Sequence, residues 1–202
     1  MILIRHVATD MAGRFCGQSD PAINALGEAQ LDALIDALQS WKIAELYASD
    51  LRRSRQTAER IVGAFNVPLT LRPALREINF GDWEGLSWQE IERCDGESAS
   101  KWKESYPYGT VPGGEEYTHF SARVISELQL LADRAQKHHI GVVTHAGVMR
   151  EILMHRCGVA TELAWQWTGN YGAFAVMSDQ GQVIFSSVAN GGENEYCNQT
   201  WR

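Results

Sequence analysis

The sequence predicts an α/β fold, a three-layer sandwich in which a mostly parallel central sheet is flanked by helices. Two observations carry this. Short apolar runs, Ile2 to Ile4, Ala44 to Ala48 and Ile140 to Thr144, alternate with longer stretches whose apolar residues recur at helical spacing. The first and last of these runs end on Arg5-His6 and on His145, and open α/β sheets bind ligands beyond the carboxyl ends of their strands. If those two strands are neighbours, the imidazoles face one another.

Taken in order, the first strand leads into a loop punctuated by Gly13 and Gly17. Asn24 then has the character of an N-cap for a helix carrying Leu26, Leu31, Leu34, Ile35 and Leu38 inward. After the second strand, Ser49 or Asp50 is expected to cap a helix that buries Ala58, Ile61, Val62 and Phe65. Leu69 to Leu71 reads as an edge strand and Asn79 to Gly85 as an irregular turn. Ser87 and Glu90 then have capping-box spacing. From 83 to 117 the chain carries Trp83, Trp88, Trp102, Tyr106 and Tyr108 among prolines and glycines, which we read as a cap insertion over the site, although ordinary packing accounts for any one of these rings. A long helix follows, with Phe120, Val124, Leu128, Leu131 and Ala135 on one face. It feeds the His145 strand, a helix with Met149, Ile152 and Leu153, and a final antiparallel pair, Ala173 to Met177 and Val183 to Val188, turned by Asp179, Gln180 and Gly181.

With 202 residues, the whole chain 1–202 fits one domain carrying that insertion. A net charge of −7 argues against nucleic acid, whose phosphates require a basic face, and no apolar stretch approaches a membrane span. The start of the chain lacks the pattern of a secretory signal, so a cytoplasmic location is expected. Cys16, Cys94, Cys157 and Cys197 include no close pair, which predicts free thiols and no zinc motif. A small anionic substrate requires a local reversal of charge. Arginines gather in two places, Arg5 with Arg14, and Arg52 with Arg53 and Arg55, and a solvated helix face accounts for two of the second three.

Four segments converge on strand ends: Arg5-His6, Ser49-Asp50-Leu51-Arg52-Arg53-Ser54-Arg55-Gln56-Thr57-Ala58, Arg76-Glu77-Ile78-Asn79-Phe80-Gly81-Asp82-Trp83-Glu84-Gly85, and Thr144-His145-Ala146-Gly147. In this order, with Pro112-Gly113-Gly114-Glu115 before the long helix, they resemble the histidine phosphatase superfamily, which includes the phosphoglycerate mutases. The resemblance runs from Met1 to about Val188 and implies a phosphoglycerate mutase-like fold. It implies that His6 is the nucleophile, that Arg5, Arg53 and His145 hold the phosphoryl group, and that Glu77 is the proton donor, so that His6, Glu77 and His145 are catalytic. No cofactor and no metal is expected. A phosphoryl group in a loose transition state needs positioning and positive charge on its equatorial oxygens, which guanidinium forks supply. Another reading of Glu77, a surface carboxylate paired with Arg76, stays open at this point.

Three positions depart from the family pattern. Val7 stands where a glycine usually follows the Arg-His pair, Ala12 where an asparagine often contacts phosphate, and Ala146 where a glycine often follows the second histidine. A valine there requires an ordinary backbone conformation or strain.

The run Phe80 to Gly85 looks like the phosphatase branch, which favours hydrolysis of a small phosphate ester. Gly13 to Asp20 and Thr144 to Arg150 are similar to α-ribazole phosphatases, which implies α-ribazole 5′-phosphate and cobalamin biosynthesis. Two alternatives remain: a phosphoglycerate mutase, against which the absent longer insertion argues, and a catalytically silent phosphate-ester binding protein, supported only by Val7 and Ala12. The expected partner is the small-molecule ester, with no nucleic acid and no membrane, and a homodimer is left open.

Overall fold

Six strands, β1 (Ile2–Arg5), β2 (Glu45–Ala48), β3 (Leu69–Leu71), β4 (Ile140–Thr144), β5 (Phe174–Met177) and β6 (Val183–Ser186), form one sheet in the computed structural model. The structure describes residues 1–178 and 182–186. The strand order is β3-β2-β4-β1-β5-β6, parallel across the first four strands and antiparallel at β5 and β6. The sheet is therefore mostly parallel, as the periodicity implied. The turn expected at Asp179, Gln180 and Gly181, the continuation to Val188, and Cys197 lie outside the described residues.

Alternation along the central strands divides the core into two layers. Ile2, Ile4 and Val143 face one side, where they pack with Leu31, Leu34 and Leu38 of α1 (Ala25–Leu38) and Ala58 and Ile61 of α2 (Arg52–Phe65). Leu3, Ile140 and Val142 face the other, against Phe120, Val124, Leu128 and Leu131 of the long helix 117–135 and Val148, Met149, Ile152 and Leu153 of helix 146–157. Burial on both faces is the reason these strands read as unbroken apolar runs.

Asn24 caps α1 by accepting the Gly27 N–H at 2.9 Å. One expectation on that helix fails: Leu26 is 58% exposed, because the buried stripe of the helix runs through Gly27, Gln30, Leu31, Leu34 and Leu38 and leaves position 26 off that face. The expected cap of α2 also fails. Leu51 occupies the cap position without a side-chain bond, since Ser49 and Asp50 spend their side chains elsewhere, as described below.

The segment 83–117 holds α3 (Trp88–Cys94), begun by the complete Ser87–Glu90 capping box, and α4 (Gly96–Ser105). Trp83, Ile91, Ala99 and Val111 make a small core of their own, with Phe15, Phe80, Trp88 and Trp102 packed against it. Packing accounts for the three tryptophans, which meet Phe15 with ring centroids 5.5 to 6.2 Å apart. The long helix is α5 (Tyr117–Ala135), and α6 (Ala146–Cys157) follows β4. A further helix that periodicity did not bring out, α7 (Thr161–Thr168), precedes β5. Among the described residues no helix is long and apolar enough to cross a membrane, and Cys16, Cys94 and Cys157 are free.

Candidate active site

The register of the sheet builds the site. β1 and β4 pair with Arg5 opposite Thr144, so His6 and His145 follow side by side at the carboxyl edge, with ring centroids 5.2 Å apart. The His6 N–H bonds the Thr144 carbonyl at 3.0 Å, and the Ser49 N–H at the end of β2 bonds the Val143 carbonyl at 3.0 Å. Three strand ends thus meet at one point.

His6 Nδ1 lies 2.8 Å from the Val7 carbonyl, which can only accept, so the ring proton sits on Nδ1. Nε2 is left with its lone pair, and the Arg53 Nε–H approaches it at 3.3 Å. Burial, reinforced by Arg53 and Arg5, holds His6 well below the ordinary 6.5. His145 is likewise lowered, by burial first and then by Arg53, and so carries one proton. Which nitrogen bears it follows from Ser49. Ser49 Oγ already accepts the Leu51 N–H at 3.3 Å and sits 2.9 Å from His145 Nε2. If Nε2 were the donor, the buried hydroxyl proton would lack an acceptor among the described residues. The hydroxyl therefore donates to Nε2, and His145 Nδ1, buried and otherwise unpartnered, carries an N–H free for an anion.

Two arginines close around these rings. Arg53, 1% exposed while Arg52 and Arg55 are exposed, donates to the carbonyls of Ser19 (2.6 Å), Cys16 (3.0 Å) and Gly17 (2.8 Å). Arg5 donates to the Thr168 and Gly169 carbonyls at 2.8 and 2.5 Å and lies 4.1 Å over the Tyr171 ring, with its Nε buried and unpartnered. Arg14 stands apart on the surface, paired with Glu90.

Glu77 is 7% exposed, and its carboxylate accepts the Gly147 N–H at 2.8 Å and the Ile78 N–H at 3.0 Å. The surface pairing with Arg76 is overturned, since Arg76 forms a two-point pair with Asp50 at 2.7 and 2.6 Å. A Cβ at Gly147 would collide with the Glu77 carboxylate, which is why this helix start needs glycine there. Ala146 is tolerated one residue earlier, at 8% exposure.

Several residues that hold this arrangement were not singled out from the sequence. Arg123 of α5 donates to the Ala74, Arg76 and Glu77 carbonyls and delivers the segment that carries Glu77. The Glu84 carboxylate gathers N–H groups of Gly17, Gln18, Ser19 and Phe80 and the Ser19 hydroxyl, so it fixes the loop whose carbonyls orient Arg53. Burial alone would push that carboxyl up; the bonds from Ser19, Gln18 and Phe80 outweigh it and hold the group below its ordinary value. Tyr171, whose ring centroid is 5.5 Å from that of His6, arrives from the turn before β5. No local pattern announces Arg123 or Tyr171, because each acts across a long sequence separation, and Glu84, although it stands in the run Phe80 to Gly85, makes most of its bonds to the distant loop at Gly17, Gln18 and Ser19.

Val7 takes an ordinary backbone conformation: among the described non-glycine residues only Lys42 and Asn66 have positive φ. Its side chain is fully buried in the α1 and α2 layer, where a glycine would leave space. Ala12 lies exposed on the loop.

The two lowered histidines set an acid limit on stability. As pH falls below 6.5 the unfolded chain takes up protons that the folded chain refuses, so stability falls by about 1.4 kcal/mol per pH unit for each histidine. Thermal melts taken from about pH 7 to pH 5 should show Tm dropping through this window, less steeply in His6→Asn. A flat profile would contradict the burial of two neutral imidazoles.

The comparisons agree with this geometry. Residues 1–187 match the model of the histidine phosphatase superfamily, branch 1. The adenosylcobalamin/α-ribazole phosphatase of Escherichia coli K12 is 27% identical over 177 residues, 87% of each chain. A metal-independent phosphoserine phosphatase of Arabidopsis thaliana is 31% identical over 159 residues, 76% of this chain and 67% of the relative. Among solved structures, the α-ribazole phosphatase of Shigella flexneri superposes with a TM-score of 0.78 at 25% identity, covering 93% of this chain and 94% of that one. The match along nearly the whole described chain, with paired histidines on adjacent parallel strands, means that this protein belongs to the histidine phosphatase superfamily, branch 1.

Proposed function

We propose that the chain is a cytoplasmic, metal-independent phosphomonoesterase that hydrolyses a small phosphate ester through a phosphohistidine. The observation that carries this is the state of His6: Nδ1 is tied to the Val7 carbonyl, so Nε2 presents a lone pair at the point where Arg53 and His145 also converge. In the first step Nε2 attacks phosphorus in line with the ester oxygen. The P–O bond breaks, and Glu77 gives its proton to the leaving alkoxide. Arg5, Arg53 and the His145 Nδ1–H carry the charge on the equatorial oxygens. In the second step the Glu77 carboxylate takes a proton from water, the resulting oxygen attacks phosphorus, and the P–N bond returns its electron pair to Nε2.

The segment 83–117 serves in this reading as a cap, supported by Tyr106, whose hydroxyl is pushed up by burial first and, to a lesser extent, by Glu77. The relatives' names supply two substrates to try first, α-ribazole 5′-phosphate and O-phosphoserine.

The test is release of inorganic phosphate from p-nitrophenyl phosphate in excess EDTA. The expected result is turnover undiminished by the chelator, because the transition-state charge is met by guanidiniums. Activity lost to EDTA and restored by a divalent ion would overturn the metal-free mechanism. Conversion of 3-phosphoglycerate to its 2-isomer without phosphate release would instead establish a mutase.

A further inference from the structure

A third guanidinium, Arg150, is tied to the residue that also takes Arg5. Arg150 lies on α6 three residues beyond Gly147, and residues at that spacing share a helix face. Gly147 is the residue whose N–H holds Glu77. The Arg150 Nε–H donates to Thr168 Oγ1 at 2.9 Å, while the carbonyl of the same Thr168 takes Arg5, so one residue spaces the two cations. The guanidinium stacks 3.4 Å from the Trp165 ring centroid, and the Tyr106 ring meets the same indole with centroids 5.4 Å apart. Among the described residues no carboxylate stands within ion-pair reach of it. Arg150 is pushed down to about 10 by burial and then by Arg5, with Tyr106 and Glu77 acting in the other direction, which leaves it cationic at neutral pH.

A charge count gives this cation a use. A phosphate monoester dianion is matched by Arg5 and Arg53. That leaves the Arg150 charge, stacked on an indole and with no carboxylate in ion-pair reach among the described residues, to meet a further anionic group. We propose that Arg150, with Tyr106, is a specificity subsite for a carboxylate on the organic part of the substrate, so that the preferred esters are phosphorylated carboxylic acids. This rests on the phosphomonoesterase reading and narrows it, ranking O-phosphoserine above α-ribazole 5′-phosphate.

The experiment compares O-phosphoserine with O-phosphoethanolamine, which differ only by the carboxylate, with α-ribazole 5′-phosphate and p-nitrophenyl phosphate alongside. In the wild type kcat/KM should favour O-phosphoserine over O-phosphoethanolamine by about tenfold or more, as expected for a charge-assisted bond. In Arg150→Met the ratio should fall to below about threefold, with Arg150→Lys between, since a single ammonium cannot make a two-point contact. A wild-type ratio near one, a ratio unchanged in Arg150→Met, or a preference for α-ribazole 5′-phosphate over O-phosphoserine would each overturn the subsite while leaving the phosphatase reading intact. If no ester, p-nitrophenyl phosphate included, is hydrolysed, the phosphatase reading itself fails. Calorimetric titration of the two matched esters into His6→Ala protein then still decides the subsite, by tighter or equal binding of O-phosphoserine.

Discussion

His6→Ala protein is expected to form no acid-labile phosphoenzyme with any ester and to lose at least about 10⁴-fold in kcat, the scale on which removal of a covalent nucleophile is felt. The reason is local. His6 Nε2 is the one ring nitrogen of the pair whose lone pair is directed at the arginines, since His145 receives the Ser49 hydroxyl on Nε2 and bears its proton on Nδ1. His145 therefore cannot take over as nucleophile without giving up its tautomer. Glu77→Gln separates the two chemical steps. With p-nitrophenyl phosphate, whose leaving group needs no proton, the phosphoenzyme should still form and then accumulate, because no base remains to activate water. Rapid quenching in mild base followed by gel analysis distinguishes the two variants. Labelled phosphate retained on His6→Ala would place the nucleophile elsewhere.

The second large loss is expected from Arg53→Ala, about 10² to 10³-fold in kcat/KM. Two effects add there. The substitution removes a buried cation from beside Nε2, and it also releases the Cys16, Gly17 and Ser19 carbonyls, which lose their donors together. Arg53→Lys should recover little, because one ammonium cannot span three carbonyls and still present an N–H at His6. A lowered Tm in both variants, with circular dichroism unchanged at room temperature, would show that they fold. A lysine variant within a few fold of wild type would mean that charge alone suffices and that the loop contacts are incidental.

Periodicity and turn chemistry are local properties, and what depends on them was legible in the chain alone. Buried strands read as apolar runs because both faces are covered, as in Ile2 to Ile4 and Ile140 to Thr144. Asn24 and the Ser87–Glu90 box announce helix starts because their bonds close within three residues. The motif segments, through the family resemblance they carry, singled out His6 and His145 directly after strands and Arg53 and Glu77 in the segments that follow β2 and β3. Strand order is a different matter. That β4 lies between β1 and β2, and so brings His145 to both His6 and Ser49, is decided by pairings between segments more than ninety residues apart in sequence. The assignment of Arg53 inward and of Arg52 and Arg55 outward depends on how α2 rolls against the sheet, as does the release of Ser49 and Asp50 from capping. The Arg123 clamp, the Glu84 anchor and the Arg150 stack on Trp165 likewise join separate elements. A side chain's partner across the fold leaves no periodic trace in its own neighbourhood, so only the packed tertiary structure could decide these roles.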